Sequence, residues 1–262
     1  MAASFAAKYG PWAVVAGASE GLGAAFAAAI AARGLNLLLL ARRGEVLAQV
    51  AEDLRGRYGV QVRAEACDVA RPDLADALAA LTADIEVGLG VYNAAFAPVG
   101  ELHERSLDDL LRVVDVNVRA PVIFARTLAP AMVGRGRGGL VLMSSLAGFQ
   151  GAPNIAAYAA SKAFNTTLGE SLWSELGPRG VDVAVCCAGA VRTPGYAVAG
   201  GGGEAPGTLD AARVAQDALA GLGRGPDIIP GTVNKLARFV LGRLLPRRAA
   251  IAIMAGSTRA LS

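Results

Sequence analysis

Short apolar runs alternate along this chain with longer segments in which apolar residues recur every three to four positions. Residues 12–16 (Trp-Ala-Val-Val-Ala), 36–41 (Asn-Leu-Leu-Leu-Leu-Ala), 60–65, 87–93, 140–144 and 181–188 predict six strands. Between them, residues 21–33, 45–58, 73–82, 107–133 and 158–176 predict helices. Strands that are apolar throughout, rather than at alternate positions, belong to a sheet covered on both faces. Parallel strands joined by right-handed crossovers then give a doubly wound α/β fold. No Pro/Ser-rich linker divides the chain, so residues 1–262 are read as a single domain.

The pattern changes after residue 188. Residues 193–207 are rich in Gly and Pro and include the run Gly200-Gly-Gly-Gly203. Their position after the sixth strand predicts a mobile lid over a site. Residues 233–245 place apolar side chains at 233, 236, 237, 240, 241 and 244, with Lys235, Arg238 and Arg243 elsewhere, an amphipathic basic helix. Packing against the lid or a second subunit is expected of it rather than membrane contact. Residues 193–248 are thus read as a substrate lid and C-terminal helical region.

The composition supports a large core: 54% of residues are hydrophobic and 18% charged. A net charge of +3 with no basic stripe interleaved with aromatics gives no case for nucleic acid. Cys67, Cys186 and Cys187 have no metal-ligand spacing and are read as buried reduced thiols, which suits a cytoplasmic location. The one histidine, His103, lies in a polar stretch, so no His-based triad or multi-His metal site is available. Residues 138–161 carry no charge, but Gln150, Pro153 and Asn154 mark a strand plus loop rather than a membrane span. The first ten residues lack the pattern of a signal peptide.

Three local patterns carry candidate chemistry. Tyr158 and Lys162 are four apart on a predicted helix and share a face. An ammonium beside a phenol favours the phenolate and is expected to lower the Tyr158 pKa, tuning it for acid–base work on a carbonyl or alcohol. Gly17-Ala-Ser-Glu-Gly-Leu-Gly23 lies between the first strand and its helix, where glycines allow a tight turn and close approach of a pyrophosphate to the helix N-terminus. The second strand ends in Ala41-Arg42-Arg43 with no acid. Arginine suits a 2′-phosphate and a carboxylate suits a free ribose hydroxyl, so NADP(H) is expected over NAD(H).

Together these pieces resemble the short-chain dehydrogenase/reductase family over nearly the whole chain. Its glycine motif matches Ala16-Gly17 through Gly23, its Asp-Val pair matches Asp68-Val69, and its Asn-Asn-Ala-Gly matches Tyr92-Asn93-Ala94-Ala95. Asp115-Val-Asn117-Val carries the family's helical Asn, and the spacing to Tyr158 selects Ser145 over Ser144. Ala188-Gly189, Val191 and Thr193 match the segment that holds the nicotinamide carboxamide.

The resemblance implies a Rossmann-type fold and a catalytic set of Asn117, Ser145, Tyr158 and Lys162. It also implies cofactor contacts from Gly17, Ser19, Glu20, Gly21, Leu22, Gly23, Arg42, Arg43, Asp68, Val69, Asn93, Ala94, Tyr158, Lys162, Gly189, Val191 and Thr193. Tyr158 would exchange a proton with the substrate oxygen, Ser145 would steady that oxygen, and Asn117 would support a water linking Lys162 to solvent. A homodimer or homotetramer built on the helices carrying Asn117 and Tyr158 is implied. Ala16, Ala95 and Ala188 depart from the family pattern without removing a reacting group.

Lys8-Tyr9-Gly10-Pro11-Trp12, Ser19-Glu20-Gly21 and Ala41-Arg42-Arg43 are also similar to a subgroup that includes bacterial 7β-hydroxysteroid dehydrogenases and reductases of bulky or long-chain ketones. A bulky apolar ketone or alcohol, such as a hydroxysteroid, is therefore the expected substrate, with Phe96, Phe149, Gln150 and Tyr196 as candidate pocket residues beside Ser145 and Tyr158. The alternatives are a 3-oxoacyl reductase, for which Arg238 to Arg248 would form a landing patch, and a catalytically silent NADP(H)-binding regulator.

Overall fold

The computed structural model describes residues 4–199 and 205–259. The Gly200–Gly203 run expected to form the middle of a lid lies outside them. Seven strands form one parallel sheet: β1 (Trp12–Ala16), β2 (Asn36–Ala41), β3 (Val62–Ala66), β4 (Val87–Tyr92), β5 (Gly138–Ser145), β6 (Val181–Ala188) and β9 (Asp227–Ile228). Their spatial order is β3-β2-β1-β4-β5-β6-β9. Val191–Arg192 (β7) and Leu209–Asp210 (β8) make a separate parallel pair.

The helices are α1 (Phe5–Tyr9), α2 (Gly21–Ala31), α3 (Gly44–Tyr58), α4 (Leu74–Thr82), α5 (Leu107–Val114), α6 (Ala120–Arg135), α7 (Ala156–Leu176), α8 (Pro194–Ala199), α9 (Ala211–Gly221), α10 (Thr232–Phe239) and α11 (Arg247–Arg259). The strand pleat sends successive side chains to opposite faces. Ala13 and Val15 join Leu37, Leu39 and Val91 under Phe26 and Ile30 of α2, Leu47 of α3 and Leu219 of α9. Val14 and Ala16 join Leu38, Leu40 and Leu142 under Leu78 of α4 and Phe124 and Leu128 of α6. Both faces are therefore buried, which is why these strands carry no alternating polar residue.

The predicted helix over residues 107–133 is two helices joined by a π turn at Asp115–Arg119. The Tyr92 hydroxyl donates to the Val116 carbonyl at 2.6 Å, drawing that group toward the sheet. A carbonyl claimed from outside the helix ladder is a recognised cause of such a widened turn. The predicted helix over 233–245 likewise ends in a π turn at Val240–Leu244. Among the described elements, α1, α8, α9, α11 and the two-residue strands β7, β8 and β9 have no counterpart in the sequence reading.

Neighbouring strands β1 and β4 lead away in opposite directions, β1 to β2 and β4 to β5. In open parallel sheets a cleft forms at the carboxyl ends of the strands at such a switch point.

Candidate active site

A cleft of about 640 Å³ lies at that switch point. Its floor is the turn between β1 and α2. Gly17 has φ +81°, a conformation that L side chains rarely adopt, and its amide donates to the Leu40 carbonyl at 2.7 Å. A Cβ on Gly23 would stand 1.8 Å from the Gly17 carbonyl oxygen, so only glycine lets α2 start this close to the turn. Asn93 locks the turn from the other side: its amide donates to the Ala16 carbonyl at 3.0 Å and its side-chain amide to the Gly17 carbonyl at 2.9 Å. Glu20 precedes α2 without a side-chain cap, which leaves the first helical N–H groups to the cleft. Uncapped N–H groups and the positive helix end suit a phosphate.

The far wall holds the charged residues. Arg43 pairs with Glu20 at 2.8 Å and donates to Ser19 Oγ at 3.3 Å. Arg42 is exposed, lines the cleft, and has no hydrogen bond or ion pair among the described residues. Asp68 accepts from the Ala70 amide at 3.0 Å and from Arg112 at 2.6 Å. Partial burial would raise its pKa, but these two donors hold it below the usual carboxylate range. The Arg112 guanidinium in turn lies 5.8 Å from the centre of the Phe96 ring. A cradle that only glycine permits, an uncapped helix start and an unpaired arginine form a donor set that fits a dinucleotide with an extra phosphate.

Tyr158 lines the opposite end, half-buried on the first turn of α7. The two serines at the end of β5 separate by the pleat. Ser144 is buried and bonds the Lys162 carbonyl and the Thr166 hydroxyl, each at 2.8 Å, tying β5 to α7. Ser145 is half-buried, accepts from the Ala147 amide at 3.2 Å, and lies near enough to Tyr158 to oppose the rise of its pKa.

Lys162 is 3% exposed. Its Nζ donates to the Met143 carbonyl at 2.9 Å and sits 5.4 Å from the centre of the Tyr158 ring. Burial lowers its pKa from the ordinary 10.5 to about 8. The expected lowering of the Tyr158 pKa is not what this structure gives. Loss of hydration raises it, the nearby Ser145 hydroxyl opposes only in part, and the Lys162 charge is turned to Met143.

Asn117 is fully buried within the π turn. Its Oδ1 accepts from the Phe96 amide at 2.8 Å, and its Nδ2 donates to the Phe96 carbonyl at 2.9 Å and to Ser161 Oγ at 3.0 Å. The side chain is thus a latch between the loop after β4 and α7, with both of its amide donors engaged.

Of the sequence-derived cofactor residues, Gly17, Ser19, Glu20, Gly21, Leu22, Arg42, Arg43, Asp68, Val69, Asn93, Ala94, Tyr158 and Thr193 line the cleft. Gly23 and Lys162 lie behind its surface. Gly189 packs on Asn234 of α10, and Val191 pairs with Leu209. Thr193 reaches over the turn, close enough that a Cβ on Gly21 would be 3.0 Å from it. Its hydroxyl accepts from the Tyr196 amide at 3.1 Å.

Phe96 lines the cleft; Phe149, Gln150 and Tyr196 do not. The Phe149 ring lies 3.8 Å from the Arg238 guanidinium, and its carbonyl accepts from Arg247 at 2.7 Å. Gln150 is buried and donates to the Leu146 carbonyl at 3.0 Å. Ala95 needs no left-handed backbone, and Ala188 keeps sheet register with Ser145, so neither departure from the family pattern disturbs the backbone there.

Sequence reading missed Arg112, Cys67, Val116 and Gly195, which also line the cleft. Val116 and Gly195 stand next to or near identified positions. Arg112 carries no local signal, because its partner Asp68 is 44 positions away.

Comparison with known proteins agrees with this geometry. The family model described as short chain dehydrogenase matches residues 11–199. A solved 7beta-hydroxysteroid dehydrogenase structure superposes with TM-score 0.90 at 27% identity, covering 96% of this chain and 99% of that one. A short-chain dehydrogenase from Sphingobium yanoikuyae in complex with NADPH gives TM-score 0.77 at 32% identity, covering 85% and 88%. The very-long-chain 3-oxoacyl-CoA reductase of Podospora anserina is 36% identical over 182 residues, 67% of this chain and 53% of that protein. With the sheet order, the glycine turn and the Ser145–Tyr158–Lys162 grouping already in place, the match over residues 11–199 leaves one conclusion: the chain belongs to the short-chain dehydrogenase family.

Proposed function

We propose that this chain is an NADP(H)-dependent oxidoreductase that interconverts a bulky apolar ketone and its secondary alcohol, a hydroxysteroid being the leading class. One observation carries the reading: a half-buried Tyr158, with Ser145 nearby and the Lys162 ammonium 5.4 Å from its ring centre, lines one end of a cleft whose other end holds Arg42, which has no hydrogen bond or ion pair among the described residues. A bound nicotinamide would supply or accept the hydride. This chain's own residues handle the oxygen and its proton. Tyr158, its pKa raised by burial, stays protonated through the neutral range and is a proton donor there, which suits reduction. Ser145 hydrogen-bonds the oxygen being protonated. Lys162 remains largely cationic below its pKa of about 8, and a turn of its ammonium from the Met143 carbonyl toward Tyr158 would let it stabilise the phenolate left after proton transfer. Asn117 fixes the loop at Phe96 against α7.

The preference for an apolar substrate rests on the surroundings of Tyr158. Ala147, Ala152, Ile155 and Ala159, with Val99 and Met254 packed on them, form an apolar cluster that includes the Tyr158 ring. The likeness to a 7beta-hydroxysteroid dehydrogenase over 96% of the chain points the same way. The 36% identity to a very-long-chain 3-oxoacyl-CoA reductase supports the second reading, an apolar 3-oxoacyl thioester. A silent regulator would have no use for Ser145, Tyr158 and Lys162 held together. A homodimer or homotetramer is supported by the exposed Leu107, Leu111, Val114, Val122, Phe164 and Trp173 on α5, α6 and α7. Buried free thiols at Cys67, Cys186 and Cys187 support a cytoplasmic location.

NADPH oxidation against a panel of oxo-steroids, bulky ketones and 3-oxoacyl thioesters tests the assignment. Oxo-steroids or bulky ketones turn over fastest, and Tyr158→Phe lowers turnover by ~10²–10⁴. Fastest turnover of thioesters selects the second reading. No turnover of any, or full activity in Tyr158→Phe, overturns the proposed chemistry.

A further inference from the structure

We propose that the C-terminal helices dock this protein onto an anionic lipid surface, lying on it rather than crossing it. Nothing in this depends on which reaction the cleft runs.

The charge of the chain is split. Residues 228–262 contain six of the 25 Lys and Arg side chains and none of the 22 Asp and Glu side chains. The tail therefore carries +6 and the preceding residues −3. In the body many cations meet carboxylates, as in Arg63–Asp84 at 2.7 Å, Arg71–Asp73 at 2.6 Å and Arg213–Asp217 at 2.9 Å, and those that do not, such as Arg42 and Arg126, are offset by an excess of acidic residues. Lys235, Arg243 and Arg248 are exposed and form no ion pair among the described residues.

The same segment leaves large apolar side chains in water. Val233, Leu236 and Phe239 stand three residues apart along α10, within an arc of about 120° at ~100° per residue. Leu236 is 63% exposed and Phe239 54%, and Leu244 and Ile253 beyond them are also exposed. The stripe that periodicity assigns to packing is thus turned outward. The inner side of α10 is anchored instead by buried Asn234, which donates to the Gly207 carbonyl at 3.1 Å and the Pro230 carbonyl at 2.9 Å. Arg238 and Arg247 hold the far end of the segment to Phe149. A firmly seated helix that presents both apolar bulk and unpaired cations matches the interface of an anionic bilayer, where side chains of the first kind enter the acyl boundary and those of the second meet phosphates.

Other occupants fit less well. A second copy joined about a two-fold axis would bring the same unpaired cations face to face. Nucleic acid would engage the cations and leave Leu236 and Phe239 without a role. None of the described helices is long and apolar enough to cross a membrane, so the contact is peripheral.

The purified full-length protein, mixed with vesicles of phosphatidylcholine alone or of phosphatidylcholine and phosphatidylglycerol in equal parts, provides the test by co-sedimentation. Binding to the anionic vesicles is expected to be at least ~10-fold stronger than to the neutral ones and to fall in about 0.5 M salt. The double variant Leu236→Glu/Phe239→Glu should lose most of that binding while keeping its thermal melt and its turnover of a water-soluble ketone. Lys235→Gln/Arg243→Gln, at exposed positions, gives the same loss should the first variant fold poorly. Equal binding to both vesicle types overturns the idea, as does full binding by both variants. So does an absence of vesicle binding, whether the variants instead change the oligomeric state in sedimentation velocity or the segment captures an acidic carrier protein.

Discussion

The two ends of the cleft handle positive charge in opposite ways. At one end Arg42 and Arg43 are exposed, and Arg112 sits against Asp68 in a largely wet setting. At the other, Lys162 is 3% exposed and rests on a backbone carbonyl. Water stabilises an exposed guanidinium, so its charge persists at any physiological pH and serves to hold an anion. A buried ammonium has lost most of its hydration, and its pKa moves to about 8, where small changes in its surroundings decide whether it stays charged. Permanent charge suits holding, and conditional charge suits proton transfer.

The largest effect expected from breaking this contrast is at the buried end. Ser145→Ala should lower kcat by ~10²–10³, the range for removing one donor to a reacting oxygen, with little change in stability. Ser144→Ala, one residue away, should do the reverse: a loss of ~1–2 kcal/mol in chemical denaturation with kcat nearly intact. Similar kcat losses in the two would mean that the pleat does not separate them. At the exposed end, Arg42→Ala should raise the Kd for NADPH by ~10–100-fold and leave NADH unchanged, since a hydrogen bond to a charged group contributes ~1.5–3 kcal/mol. Arg43→Ala should cost less, because Glu20 already engages that side chain.

The smallest effect is on stability against pH. Lys162 has a pKa of about 8 when folded and 10.5 ordinarily. Between those values the unfolded chain binds a proton that the folded chain does not. Stability therefore rises with pH across that window and is unaffected below it. Denaturation of the natural chain against Lys162→Met should show the difference growing in favour of the natural chain from about pH 8 to pH 10. A flat difference would mean that the ammonium is not desolvated as the structure indicates.

Much of this molecule could be read from its residues because the relevant rules are local. Most of the sheet strands announce themselves by apolar runs, β3 with Arg63 and Glu65 being the weakest, and residues 36–41 and 181–188 are matched end to end by β2 and β6. Gly17 and Gly23 are legible for the same reason, since turn and helix start are adjacent in the chain. What escaped depends on distance. Arg112 acquires its role from Asp68, and the break at Asp115–Arg119 comes from Tyr92, 24 positions from Val116. Strand β9 has only two residues and no periodicity to show. Helix α9 did carry a signal, with Val214, Ala215, Ala218 and Leu219 on one buried face. The Tyr158 pKa was read in the wrong direction because i and i+4 spacing fixes a shared face but not where an ammonium points or how much water remains.

The separation of Ser144 from Ser145 has a consequence for redesign. Ser144, Lys162, Thr166 and Cys187 form a bonded lattice that ties β5 and β6 to α7 behind the cleft, whereas Phe149, Arg238 and Arg247 form a contact outside the cleft lining. The two groups approach each other at Gly148, beside Phe149, where a Cβ would stand 2.8 Å from the Lys162 carbonyl carbon. A library that varies Phe149, Arg238 and Arg247 leaves the Ser144 bonds untouched, whereas any side chain at position 148 presses on the helix that carries Tyr158 and Lys162.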